Sequence, residues 1–158
     1  MDGSFLFDYL GVVSIFVLVL ANGLFVAAEF SMVSVRRTRI TELVARGEVG
    51  AEAVQKAIEN PDRVIAATQL GITLSSLALG WVGEPALSHL IYPVLNLFPN
   101  AIRPELSHSL SAAFSFAVIT FLHVVVGELA PKSIALQDPE RTSLFVARPT
   151  LIAEQIFK

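Results

Sequence analysis

The chain has 158 residues, 54% of them hydrophobic and 16% charged, with a mean hydropathy of +0.66. That is more apolar surface than one small water-soluble core uses. The formal charge of −3 comes with no basic stripe, which argues against a nucleic-acid partner, and the absence of cysteine removes disulfides, thiolate metal sites and cysteine nucleophiles.

Met1 to Phe5 carries no basic n-region, and the apolar run that follows is too long for the core of a cleavable signal peptide. It reads as a retained span. Residues 5–34 form an apolar stretch of about 30 residues, longer than the roughly 20 that cross hydrocarbon, so this helix must tilt or extend past the bilayer. Within it Asn22 and Glu29 share a helical face, Gly23 allows a neighbour to approach closely, and Ser31 and Ser34 follow near the inner end. An asparagine inside a span either glues helices together or touches an ion or substrate. The spacing leaves both open.

Arg36, Arg37 and Arg39 end the span abruptly, as cytoplasmic flanks do. Residues 38–60 are mixed in charge, and Ile40, Leu43, Val44, Val54 and Ile58 are spaced for an amphipathic helix interrupted near Gly47 and Gly50. Such a helix lies along the inner membrane surface or packs under the spans. Asn60-Pro61-Asp62 supplies a turn and a new helix start. Residues 64–82 are then uncharged for about 19 positions, just adequate for a second crossing. Thr68, Gln69, Gly71, Thr73, Ser75, Ser76 and Gly80 make this span rich in small and hydroxyl residues, and Gln69, Thr73, Ser76 and Gly80 fall on one stripe. The stripe suits a tight helix contact, and the same oxygens can serve an ion pathway. Tyr9 and Trp81 fit an outer aromatic belt.

Gly83-Glu84-Pro85 opens a connector reaching past Phe98, too short and too interrupted by proline for a span, and an interfacial or re-entrant helix is expected there. His89 and His108 stand isolated, without metal-ligand spacing. The third span covers residues 106–136 and ends in Gly127-Glu128-Leu129-Ala130-Pro131-Lys132. Pro131 has no amide hydrogen to give to the carbonyl of Gly127, so that oxygen is freed beside the Glu128 carboxylate. Together they form a pair of hard ligands of the kind magnesium or calcium takes. The alternative is a proline kink with an ordinary ion pair between Glu128 and Lys132. His123 lies five positions before Glu128, about 140° away around an α-helix, which argues against a His/Glu pair. Residues 139–158 begin a second amphipathic helix, and the chain stops inside it without a C-cap, the mark of a truncated end.

Six lysines and arginines lie between Arg36 and Arg63, four from Lys132 to Lys158, and only Arg103 between the second and third spans. That bias predicts three crossings with the N-terminus outside and the C-terminus cytoplasmic. The expected fold class is an all-α membrane protein of three transmembrane helices per subunit with amphipathic juxtamembrane helices.

The strings Asn22-Gly23-Leu24-Phe25-Val26-Ala27-Ala28-Glu29-Phe30, Gln69-Leu70-Gly71-Ile72-Thr73-Leu74, Gly127-Glu128-Leu129-Ala130-Pro131-Lys132 and Pro139-Glu140-Arg141-Thr142 give the whole chain a likeness. It resembles the transmembrane domain of the CorC/CNNM (hemolysin C-like) family. The resemblance implies a plasma-membrane homodimer that exports magnesium, coupled to sodium entry, from a site between the three spans. It also implies magnesium ligands at Glu128 and at polar positions of the first two spans, for which the helical faces offer Asn22, Ser31, Gln69, Thr73, Ser75 and Ser76; the freed Gly127 carbonyl is a further candidate, and Pro131 and Lys132 are read as positioning the helix end. Complete members continue into cytoplasmic CBS-pair and C-terminal domains, which this chain lacks, so nucleotide would act only through those absent parts. The competing reading is a dimeric membrane scaffold or magnesium sensor without transport of its own. Enzymatic readings lack a His-Glu-x-x-His run, an activated nucleophile or a phosphate loop.

Overall fold

The computed structural model describes residues 3–95 and 104–156. Seven α-helices and one π-helical segment follow one another, with no strand among the described residues. Helix α1 (Gly3–Ser34) is followed by two short helices, α2 (Arg37–Ala45) and α3 (Ala51–Glu59), then by α4 (Pro61–Leu95). The third long element is composite: α5 (Pro104–Leu122), a π-helix (His123–Leu129) and α6 (Ala130–Gln137). Helix α7 (Pro139–Ile156) closes the described chain. The stretches Tyr9–Ser34, Pro61–Tyr92 and His108–Gln137 are long and apolar enough to cross a membrane, as the three apolar runs predict.

The breaks fall where backbone chemistry demands them. Gly47 and Gly50 have φ of 72° and 92°, values that side-chain-bearing residues rarely adopt, and they separate α2 from α3. A Cβ on Gly50 would also lie 2.8 Å from the carbonyl oxygen of Leu144, so α3 starts hard against the α7 backbone. Pro61 opens α4 and Pro139 opens α7, the first-turn position that a residue without an amide hydrogen tolerates. Asp138 accepts a 3.2 Å hydrogen bond from the Arg141 amide and so satisfies one of the orphan donors at the start of α7.

The connector departs from expectation. The segment from Gly83 to Leu95 is a continuation of α4 through Pro85 rather than a separate interfacial or re-entrant helix. Leu97, Phe98 and Pro99 of that connector, and Arg103, lie outside the described residues. Packing supplies the reason, since neighbouring helices can hold a proline-containing span in register. Just beyond Pro85, a Cβ on Gly11 would come within 2.5 Å of the Ala86 Cβ, and the Ser88 hydroxyl sits 3.2 Å from that of Ser111 on α5.

Two apolar cores result. Ile15, Val19, Leu79 and Ile119 pack where α1, α4 and α5 meet. The larger core joins the C-terminal half of α1 (Ala27, Ala28, Met32) to Ile40 and Leu43 of α2, Val54 and Ile58 of α3, Val64 of α4 and Val146 of α7. Arg39 fastens this collar: its Nε and Nη2 donate to the two carboxylate oxygens of Glu140 at 2.9 and 3.2 Å, a fork geometry that specifies orientation as well as attraction. The two basic segments of the sequence therefore sit together at one end of the bundle.

Helix α1 is the axis of the bundle, and the absence of a side chain at Gly71 lets its Phe25 ring pack against α4. A Cβ there would lie 2.6 Å from the Phe25 ring. Overpacking of this kind costs about 1–3 kcal/mol, so Gly71→Ala is expected to lower the melting temperature of the detergent-solubilised domain. An unchanged melting temperature would show that the Phe25 ring can move aside freely.

Candidate functional site: a polar junction between the three spans

Pro131 sets the local geometry. It cannot donate to Gly127 four residues back nor to Val126 five back, and just before it the helix widens: the Ala130 amide closes on the carbonyl of Val125, five positions earlier. Wide turns of this type occur as short segments within α-helices and are frequent at functional sites. Helix α1 presses onto this place through Gly23, where a Cβ would lie 2.9 Å from Pro131 Cγ and 3.5 Å from the Val126 oxygen.

The neighbouring residue completes the backbone. Asn22, 1% exposed, donates from Nδ2 to the Gly127 carbonyl at 2.9 Å. The oxygen that the sequence marks as released from the helix is thus taken up by a side chain of another span. A Cβ on Gly127 would lie 3.3 Å from both Asn22 Nδ2 and His123 Cδ2, so the bare glycine is part of the fit.

From Asn22 the contacts reach the second span. Asn22 Oδ1 lies 3.3 Å from Ser76 Oγ, which is also 2.8 Å from the Ile72 carbonyl oxygen and 3.1 Å from His123 Nε2. Asn22 on α1, Ser76 on α4, and His123 and Gly127 on the π-helix therefore form one polar junction inside otherwise apolar packing.

The other candidate residues are distributed around it. Ser31 is fully buried and its hydroxyl donates to Ala28 on its own helix at 3.3 Å. Ser75 is buried, whereas Gln69 and Thr73 are exposed and the Thr73 hydroxyl donates to the Gln69 carbonyl at 2.8 Å. The buried stripe of α4 is Thr68, Gly71, Ser75 and Leu79. It runs beside the stripe of Gln69, Thr73, Ser76 and Gly80, which becomes the margin of the interface, with Ser76 as its inward member. Glu128, adjacent to Gly127, is exposed. Lys132 places its Nζ 4.5 Å from the centroid of the Phe30 ring, a cation–π contact that ties the third span to α1. Among the described residues, no ion pair joins Glu128 to Lys132.

His123 is the junction member that sequence reasoning missed. The α-helical angle to Glu128 bears only on partners within the same helix, whereas its partner, Ser76, lies on another span. The available signal was its position four residues before Gly127, which puts both on one face of the helix.

These features define a three-span helical membrane domain with a proline-centred π-helix and a buried polar junction. The chain belongs to the family described as CNNM, the Cyclin M transmembrane N-terminal domain, whose model matches residues 13–158. It is similar to the UPF0053 protein YugS of Bacillus subtilis (strain 168), 40% identical over 142 residues, covering 90% of this chain and 33% of the relative. It is also similar to the UPF0053 protein YhdP of the same organism, 43% identical over 145 residues, covering 91% of this chain and 32% of the relative. The chain thus spans about a third of the length of these curated relatives.

Replacing Asn22 by leucine keeps the bulk but strands the Gly127 carbonyl. An unsatisfied buried acceptor costs about 1–3 kcal/mol. Asn22→Leu is therefore expected to melt at a lower temperature than the parent, with protease sensitivity rising around the π-helix.

Proposed function

We propose that this domain carries a magnesium ion across the plasma membrane, bound between the three spans beside Glu128, and that it works as an exporter coupled to sodium entry. The observation that carries this reading is a shortage of hydrogens at the junction. The Ser76 hydroxyl has one hydrogen, yet it faces two oxygens that can only accept, the Ile72 carbonyl at 2.8 Å and Asn22 Oδ1 at 3.3 Å. Lone pairs are left over, and the second lone pair of the Gly127 carbonyl adds to them. Amide, hydroxyl and carbonyl oxygens are the ligands that a small hard cation takes in exchange for part of its water shell.

Glu128 supports the same reading. It lies near one end of the span His108–Gln137, on the surface of the subunit. An ionised carboxylate within a span is costly unless paired or solvated, and a cation passing the junction would offset that cost. A single carboxylate leaves the magnesium complex net positive, which favours release over trapping. A homodimer is the expected assembly, and the side bearing the Arg39–Glu140 collar is assigned to the cytoplasm because it gathers the two basic segments.

Magnesium flux in proteoliposomes tests the proposal. Glu128→Ala is expected to reduce flux by about 10-fold or more, the loss of roughly one charge-assisted contact, while thermal stability stays near that of the parent. Unchanged flux in a correctly folded variant would remove Glu128 from the pathway.

A further inference from the structure

Counting hydrogens at Ser76 assigns a task to His123. We infer that His123 is a positioning residue: it donates its Nε2–H to the Ser76 oxygen and so fixes the direction of the Ser76 hydroxyl, and through it the Asn22 amide, at the junction of the three spans.

The assignment follows from the partners. The Gly127 carbonyl accepts and cannot donate, so the group of Asn22 that meets it at 2.9 Å is the amide nitrogen. Its oxygen must therefore be the atom facing Ser76 at 3.3 Å. Ser76 Oγ then has three neighbours within hydrogen-bonding distance: the Ile72 carbonyl at 2.8 Å, Asn22 Oδ1 at 3.3 Å and His123 Nε2 at 3.1 Å. Two of the three are pure acceptors, and the hydroxyl carries a single hydrogen. If that hydrogen went to His123, both oxygens would face the serine oxygen with none between them. If Nε2 carries the hydrogen instead, Ser76 accepts from His123 and donates to one of the two oxygens, and the junction gains one hydrogen bond. Partial burial raises the weight of that difference, because a hydrogen bond is stronger where the local dielectric is lower.

The ring is held for this purpose. His123 is half-buried, and its Cδ2 edge borders Gly127, where a Cβ would lie 3.3 Å away. It therefore packs against the bare α-carbon of Gly127, the residue whose carbonyl Asn22 binds. With His123 donating, the Ser76 hydroxyl hydrogen is directed toward the Ile72 and Asn22 oxygens, and the remaining lone pairs of Asn22, Ser76 and Gly127 are held in fixed directions. Without it the hydroxyl is free to turn its hydrogen into the space those lone pairs face. The consequence for cation binding rests on the ion-site reading above; the bond itself does not.

The experiment has two arms on the intact domain in lipid nanodiscs. The first is nitrogen-15 NMR of histidine-labelled protein, in which His123 shares the spectrum with only His89 and His108. An imidazole N–H hydrogen that is not hydrogen-bonded exchanges too fast with water to be seen. A protected Nε2–H signal is expected in the parent, lost in Ser76→Ala and in His123→Leu. A hydrogen on Nδ1, or no protected signal, overturns the inference. The second arm is magnesium chloride titration by calorimetry. His123→Leu is expected to weaken binding on the order of 10-fold, the equivalent of about one hydrogen bond, and His123→Gln, whose amide can donate from a similar position, to recover most of it. Equal binding in the leucine variant and the parent overturns the positioning role even if the protected signal is present. If the parent itself binds no magnesium, the ion-site reading fails and the NMR arm still decides the bond.

Discussion

The bond from Asn22 to the Gly127 carbonyl is the contact on which the rest of the site depends. A proline inside a membrane helix leaves backbone oxygens without their usual donor, and hydrocarbon has no water to replace it. The protein answers with a side chain from the neighbouring span, and that choice dictates several others. Position 23 has no side chain, so that α1 can lie against Pro131. Position 127 has none either, so that the amide can reach the carbonyl. The asparagine oxygen is then turned toward the second span, where Ser76 meets it.

Around this point the fold is organised as two halves, one at the collar of α2, α3 and α7 and one where α1, α4 and α5 meet. The collar buries Ile40, Leu43, Val54, Ile58 and Val146 against α1 and carries the Arg39–Glu140 fork. The contacts at the other end are leaner: the bare backbone at Gly11 against Ala86, and a serine pair between α4 and α5. Polar contacts between membrane helices are individually modest, about 0.6 kcal/mol on average in one well-measured case. Away from the collar, small residues that let backbones meet therefore add to the apolar core of Ile15, Val19, Leu79 and Ile119, whereas the collar rests on the larger apolar core.

Much of this was legible in the sequence, and the parts that were not share a cause. The three spans, the broken amphipathic helix at Gly47 and Gly50, and the second one from Pro139 could be read because hydrophobic period and backbone restriction are local properties. The release of the Gly127 carbonyl by Pro131 could be read for the same reason. The uninterrupted passage of α4 through Pro85 could not, because the contacts that hold it belong to Gly11 and Ser111, far away in the chain. The stripe of Gln69, Thr73 and Ser76 was correct in period, but which neighbouring stripe faces inward is decided by where α1 docks. The role of His123 is not legible because the helix is π from His123 to Leu129 and its partner sits 47 residues earlier.

The π-helix has a mechanical consequence of its own. A turn closed over five residues instead of four stores surplus chain within the third span. Should the segment from His123 to Leu129 tighten to α geometry, everything beyond it must swivel with respect to α5, by roughly 100° for each residue of slack taken up, the angle of one helical step. Glu128 lies inside that segment, and α6 and α7 hang from its end. The Asn22 amide and the Gly23–Pro131 contact oppose such a swivel, so the side of α1 that meets the polar junction also holds the rotational setting of the third span relative to the collar.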